Sequence, residues 1–234
     1  MSDGRRILIT GARKGIGRYL AGYYCKSGFQ VIGCSRSPSD LAHCRYHHFE
    51  LDICDEDSVN RMFSEIRKSF GGLDVLVNNA GIASMNHVLA TPLKTASRIL
   101  ETNVSGTFLM CREAAKLMMS AKNGRIINFA TVATPLRLEG EAIYAASKSA
   151  VITLTQILAR ELGSLGITVN AIGPTPVRTD LIAGVPESKL QQLLHRQALP
   201  RFAEFHDISN VIDFFMREES GFVTGQTIFL GGVS

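Results

Sequence analysis

Short apolar runs alternate with longer stretches of amphipathic period almost from end to end of the chain. Ile7–Thr10, Val31–Cys34, Leu73–Val77, Arg125–Ala130, Ile167–Ala171 and Thr227–Leu230 are short runs rich in apolar and β-branched side chains, and each predicts a strand, as does the more polar, aromatic-bearing Tyr46–Leu51. Between them the apolar positions recur at helical spacing. A first helix begins at Ile16, runs through Leu20, Tyr23 and Tyr24, and stops at Ser27-Gly28. Asp55 reads as the N-cap of a second, through Val59, Met62, Phe63 and Ile66, which ends before Gly71-Gly72. Pro92 opens a helical stretch that reaches about Ala121 in two pieces, and a long helix then carries Tyr144 through Ile152, Ile157 and Leu162 to Gly163. Ser188–Leu194 and His206–Met216 are shorter helical segments. Strands that are apolar throughout are buried on both faces, which implies a parallel sheet covered by helices on each side. The expected fold is therefore α/β, a doubly wound sheet of about seven strands, with residues 1–234 forming one domain without repeat or linker.

Composition narrows the partners. The net charge of +4 is mild and not gathered into a run, so a nucleic-acid partner is not expected. No apolar run approaches the ~18–20 residues that span a bilayer, so no membrane is expected either. The five cysteines, Cys25, Cys34, Cys44, Cys54 and Cys111, show no C-x-x-C pairing; their odd number points to reduced thiols and a cytoplasmic location. His47-His48 stands too loosely beside Cys44 and Cys54 for ligand spacing, so no metal is expected. Met1–Arg6 leads straight into the first strand, which argues against a signal peptide.

Two stretches carry chemistry. Thr10–Gly17 places a G-x-x-x-G-x-G turn between the first strand and the first helix, where backbone N–H groups and the positive helix end can receive a pyrophosphate. Tyr144 and Lys148 lie four apart on the long helix, hence on one face. A phenol with its ordinary pKa of about 10 is a poor acid or base at neutral pH, and a neighbouring ammonium is expected to lower it toward the working range. By itself a Tyr and a Lys at this spacing describes many surface helices; the glycine turn upstream gives the pair its meaning.

With these motifs the chain resembles the short-chain dehydrogenases/reductases of the single-domain type, across nearly its whole length. Thr10–Gly17 fits the family's T-G-x-x-x-G-x-G, Asn78-Asn79-Ala80-Gly81 its N-N-A-G, and Tyr144–Lys148 its Y-x-x-x-K. Asn103-Val104-Ser105-Gly106, Ile167–Asn170 and Thr224–Gln226 agree as well. The resemblance implies a Rossmann-type fold and a catalytic set of Asn103, Thr131, Tyr144 and Lys148. Tyr144 would be the acid/base, Lys148 would depress its pKa and hold the nicotinamide ribose, and Asn103 would hold a water relaying protons to Lys148. Thr131 stands thirteen residues before the tyrosine, where the family usually has serine. It keeps the hydroxyl that orients a carbonyl, but its methyl stiffens χ1 and narrows the site.

The resemblance also distributes the cofactor. Gly11, Arg13, Lys14, Gly15, Ile16 and Gly17 would take the pyrophosphate. Asp52 and Ile53 would flank the adenine, and Asn79, Ala80 and Gly81 the inner ribose. Pro174, Val177 and Thr179 would meet the nicotinamide amide and phosphate. Ser35 occupies the position where NAD-using relatives place a carboxylate, whereas Arg36 and Lys14 can grip a 2′-phosphate. NADPH is therefore expected ahead of NADH. The substrate is expected to be a small ketone or secondary alcohol, including a 3-oxoacyl thioester. A sugar, a steroid or a specialised metabolite is the alternative, and a cofactor-binding scaffold the reading of another class. Leu165, where acyl-carrier reductases often carry a basic residue, weakens the acyl-carrier reading. The helices holding Cys111 and Thr153–Leu162 would face sister subunits of a homotetramer or homodimer.

Overall fold

Apolar runs buried on both faces pair in parallel, and the computed structural model, which describes residues 4–233, contains one seven-stranded parallel sheet. Its strands are β1 (Arg6–Thr10), β2 (Gln30–Ser35), β3 (Tyr46–Glu50), β4 (Val75–Asn78), β5 (Gly124–Phe129), β6 (Ile167–Gly173) and β7 (Thr227–Phe229), in the order β3-β2-β1-β4-β5-β6-β7. The helices are α1 (Gly15–Lys26), α2 (Glu56–Phe70), α3 (Leu93–Leu100), α4 (Thr107–Met118), α5 (Ala133–Leu136), α6 (Ala142–Leu162), α7 (Glu187–His195) and α8 (Phe205–Met216). Met1, Ser2 and Asp3, on which the reading of the chain's start rests, lie outside the described residues.

Successive strand residues point to opposite faces. Ile7, Ile9, Val31 and Val77 therefore pack with Leu20 and Tyr24 of α1 and Phe215 of α8, while Leu8, Ile32, Leu76 and Ile126 pack with Ile66 of α2, Met110 of α4 and Leu158 of α6. The chain leaves one half of the sheet after β3 and returns at β4 on the far side of β1. That reversal opens a crevice beyond the carboxyl ends of β1 and β4, the usual ligand site of open α/β sheets.

The local signals behave as their chemistry requires. The Asp55 carboxylate accepts the Asp57 N–H to cap α2, and Gly71, at φ 74°, closes it in the left-handed conformation. Four elements differ from expectation. β4 starts at Val75 because the Asp74 carboxylate, paired with the Arg6 guanidinium, also takes the Arg6 N–H in place of a strand partner. The stretch after Pro92 is continuous, since α3 passes through a π-helical turn, Glu101–Gly106, into α4. The segment after β5 contains the short helix α5, where the Thr131 hydroxyl accepts the Ala133 N–H. Finally, α6 and the 3₁₀ turn behind it run from Ala142 to Leu165, long and apolar enough by length and composition to cross a bilayer. This corrects the sequence reading. The helix nonetheless lays Val151, Thr155, Leu158 and Ala159 against the sheet side of the core.

Candidate active site

The glycine turn after β1 is held in place from two sides. The N–H groups of Gly11 and Ala12 donate to the Cys34 carbonyl at the end of β2 (2.8 and 3.2 Å). From the other side Asn79 Nδ2 donates to Thr10 O (2.9 Å), and the Ala80 N–H donates to the Thr10 hydroxyl (2.9 Å). Only glycine suits two of these positions. Gly11 has φ 67°, and a Cβ on Gly17 would stand 2.4 Å from the Gly11 carbonyl oxygen. No side chain caps the first turn of α1 and none there is acidic, so its free N–H groups and positive end face the groove. A glycine cradle at an uncapped helix start fits a dinucleotide pyrophosphate.

The groove measures about 260 Å³. Its walls include Gly11, Arg13, Lys14, Gly15 and Ile16 from the turn, and Ser35 and Arg36 from the end of β2. Asp52 and Ile53 follow β3, Asn79, Ala80 and Gly81 follow β4, and Thr179 comes from beyond β6. Gly17 lies behind the turn, and Pro174 and Val177 line the neighbouring chamber instead. The two cations assigned to a 2′-phosphate are not equivalent. Lys14 Nζ is paired with Asp180 at 3.0 Å, an exposed contact that joins the turn to the segment after β6. Arg36 is exposed at the rim. His48 is half-buried, not a free surface group: its ring bonds the Tyr46 hydroxyl (2.7 Å) and the Ser35 hydroxyl (2.9 Å) and so fixes the end of β2.

The groove opens into a second chamber of about 320 Å³, where Thr131, Tyr144, Pro174, Val177 and Thr179 meet. Tyr144 and Lys148 come from the first turns of α6, and Thr131 from the turn after β5. Burial pushes the Tyr144 phenol up to about 12, the nearby Thr131 hydroxyl pulls back part of that rise, and the Glu141 carboxyl adds to it. Lys148 does not take the expected part. Its ammonium turns to the Phe129 carbonyl (2.7 Å), and burial pushes its own pKa down to about 8. The expectation that Lys148 sets the phenol pKa is thus corrected: burial dominates, and the hydroxyl of Thr131 does the lowering.

Asn103, fully buried in the π-helical turn, is engaged on three sides. Its Oδ1 accepts the Ile82 N–H (2.9 Å), and its Nδ2 donates to Ile82 O (2.9 Å) and to the Ser147 hydroxyl (3.0 Å). It clamps the stretch after Gly81 to α6. A Cβ on Gly81 would stand 3.2 Å from Asn103 Oδ1 and 3.4 Å from Lys148 Nζ, so the backbone there runs close under both groups. Two site residues escaped the sequence reading. Asp180 had no local signal, since its partner is 166 positions away. Glu141 had one, because it precedes Tyr144 by three and shares its helix face.

A dinucleotide cradle at a sheet reversal, joined to a chamber lined by a half-buried tyrosine and a threonine with a buried lysine behind them, defines a nicotinamide-dependent oxidoreductase of the Rossmann type. A family model described as enoyl-(acyl carrier protein) reductase matches residues 11–233. The chain is 32% identical over 236 residues to the 3-oxoacyl-[acyl-carrier-protein] reductase FabG of Escherichia coli (strain K12), covering 98% of this chain and 97% of that one. It is 33% identical to the enzyme of that name from Staphylococcus aureus (strain N315), over 96% of each. Among solved structures, 4-hydroxyisoleucine dehydrogenase complexed with NADH superposes with a TM-score of 0.87 at 28% identity, over 97% of each chain. Ligand-free aldohexose dehydrogenase of Thermoplasma acidophilum gives 0.89 at 27% identity, over 99% of this chain and 94% of that one. The chain belongs to the short-chain dehydrogenase/reductase family.

Proposed function

We propose that this protein is an NADPH-dependent reductase of a ketone, able in reverse to oxidise the corresponding secondary alcohol. One observation carries the reading: the Tyr144 phenol and the Thr131 hydroxyl line one chamber where the glycine-cradled groove meets it. When bound, the nicotinamide supplies the hydride or accepts it. The protein does the rest. Thr131 and Tyr144 present two hydroxyls to one substrate oxygen and fix the carbonyl. With its pKa raised, Tyr144 holds its proton at neutral pH and delivers it to the oxygen as negative charge develops there. Lys148, whose ammonium is anchored on Phe129 O, keeps a positive charge near the inner ribose of the cofactor. The Asn103 clamp holds Ser147, the neighbour of that lysine in α6, and a water beside it relays protons to Lys148.

For the cofactor, Ser35 and exposed Arg36 favour a 2′-phosphate, with Lys14 recruited from Asp180. For the substrate, the curated relatives are named for 3-oxoacyl thioesters and the solved neighbours for a hydroxylated amino acid and an aldohexose. Exposed Phe108 on α4 and Ile157 on α6 support assembly of dimers or tetramers through those helices.

The deciding experiment follows NADPH and NADH oxidation with a panel of ketones. The parent should turn over at least one ketone, and Tyr144→Phe should cut kcat by about a hundred- to ten-thousandfold with little change in cofactor affinity. A parent that binds nucleotide and reduces nothing would support the scaffold reading; substantial activity in Tyr144→Phe would remove the tyrosine from its role.

A further inference from the structure

Among the described residues that line the chamber, Glu141 alone carries a formal charge. Most of the wall is apolar, with Met85, Val132, Leu138, Val177 and Leu190 among its members. Glu141 occupies the N-cap position of α6, and its side chain accepts no N–H of the first turn, as the shorter Asp would there. Nor does it make any other hydrogen bond or close ion pair among the described residues; the Lys189 ammonium of α7 acts on it only through its field. Burial raises its pKa above the ordinary carboxylate range. It lines the same chamber as Tyr144 and precedes it by three positions, and its charge opposes ionisation of the phenol. A half-buried carboxylate without a protein partner is costly, and a ligand that donates to it removes that cost.

We propose that Glu141 selects the substrate by accepting a hydrogen bond from a hydroxyl or ammonium group carried next to the reacting carbonyl. The natural substrate is then a hydroxylated or aminated ketone with an apolar flank, or the alcohol derived from it. This rests on the reductase reading and narrows it. A 3-oxoacyl thioester has no donor on the carbon beside its ketone, so it leaves Glu141 unpaired and is disfavoured. Anionic keto acids are disfavoured as well, by like charge.

Acetone, hydroxyacetone and aminoacetone differ by one group at the relevant carbon and provide the test. In the parent, hydroxyacetone should exceed acetone in kcat/KM by about ten- to hundredfold, the range of one bond to a charged acceptor, and chiefly through KM. Glu141→Leu should bring that ratio close to one. Glu141→Gln should retain most of the preference for hydroxyacetone and lose the preference for aminoacetone, because an amide accepts a hydrogen bond without attracting charge. An unchanged ratio in Glu141→Leu overturns the proposal, as does an acetoacetyl thioester that outcompetes hydroxyacetone in the parent. Saturation-transfer NMR of the same ketones, with oxidised nucleotide present, reads the contrast without turnover. Failure to reduce any ketone therefore sinks only the reductase reading, whereas equal binding of hydroxyacetone by parent and Glu141→Leu sinks the role of Glu141.

Discussion

At the scale of single residues, the site is governed by what burial does to two ionisable groups. Tyr144 near 12 stays protonated throughout the neutral range, so proton donation in ketone reduction should be flat below about pH 8. Above that, Lys148 loses its charge, the site becomes less able to accommodate developing phenolate, and reduction should slow. Alcohol oxidation needs the phenolate and should climb with pH instead. Rate profiles measured in both directions would check this, and a reduction rate that rises through pH 8 contradicts it. Lys148 also has a stability consequence. Its pKa falls from 10.5 in the unfolded chain to about 8, so between those values the unfolded chain binds the extra proton and stability from this group rises with pH. Below about pH 8 the fold bears the whole cost, on the order of 2–4 kcal/mol, reduced by the bond to Phe129 O. Lys148→Met should therefore resist urea better than the parent at pH 7 while losing activity, with the advantage shrinking near pH 10. Equal or lower stability at pH 7 would show that the ammonium is better solvated than its burial implies.

At the scale of elements, the π-helical turn between α3 and α4 is the hinge of the site. A π turn inside a longer helix frequently marks a functional position, because it re-aims one side chain. Here it turns Asn103 inward to reach Ile82 and Ser147 together, joining the segment after β4 to α6. Asn103→Ala leaves the Ile82 N–H and C=O without their partner, at a cost of about 2–4 kcal/mol for the unsatisfied groups. The expected outcome is a lower Tm together with weaker cofactor binding, since Gly81 and Ala80 lose their support. Asn103→Asp keeps the acceptor for the Ile82 N–H and loses both donor bonds, so it should fall between the parent and Asn103→Ala. Unaltered thermal stability in Asn103→Ala would show that water replaces the clamp.

At the scale of the whole molecule, the cofactor bridges segments distant in sequence, and its selection depends on charges at the rim. The Lys14–Asp180 pair is solvent-exposed, and such pairs contribute about 1 kcal/mol or less, so a phosphate can displace Asp180 cheaply. Bonds from Arg36 or Lys14 to a 2′-phosphate gain roughly 1.5–3 kcal/mol each before screening. NADPH should bind at least about tenfold more tightly than NADH. Arg36→Ala should erase most of that difference by weakening NADPH, since Ser35 offers no carboxylate to a bare ribose hydroxyl. Asp180→Asn should strengthen NADPH by a few-fold at most, and added salt should erode the preference. Fluorescence titration of both nucleotides decides it, and equal affinities in the parent would refute the selection.

How much of this was legible beforehand depends on the range of the forces involved. Strands, helices and the glycine turn follow from neighbours within a few positions, through side-chain periodicity, caps such as Asp55 and the space that Gly11 and Gly17 leave open, so the sequence by itself determined the doubly wound sheet and the place of its crevice. The family motifs likewise brought Thr131, Tyr144 and Lys148 to one chamber wall or the turn behind it. What only the tertiary structure decided concerns electrostatics and pairing across long separations. Desolvation depends on everything packed around a group, which is why Tyr144 is raised when its lysine neighbour predicted a fall. Lys14 meets Asp180, Asn103 meets Ile82 and Ser147, and Glu141 is left without a hydrogen-bond partner among the described residues, because folding brings together or keeps apart groups whose sequence spacing carries no record of it.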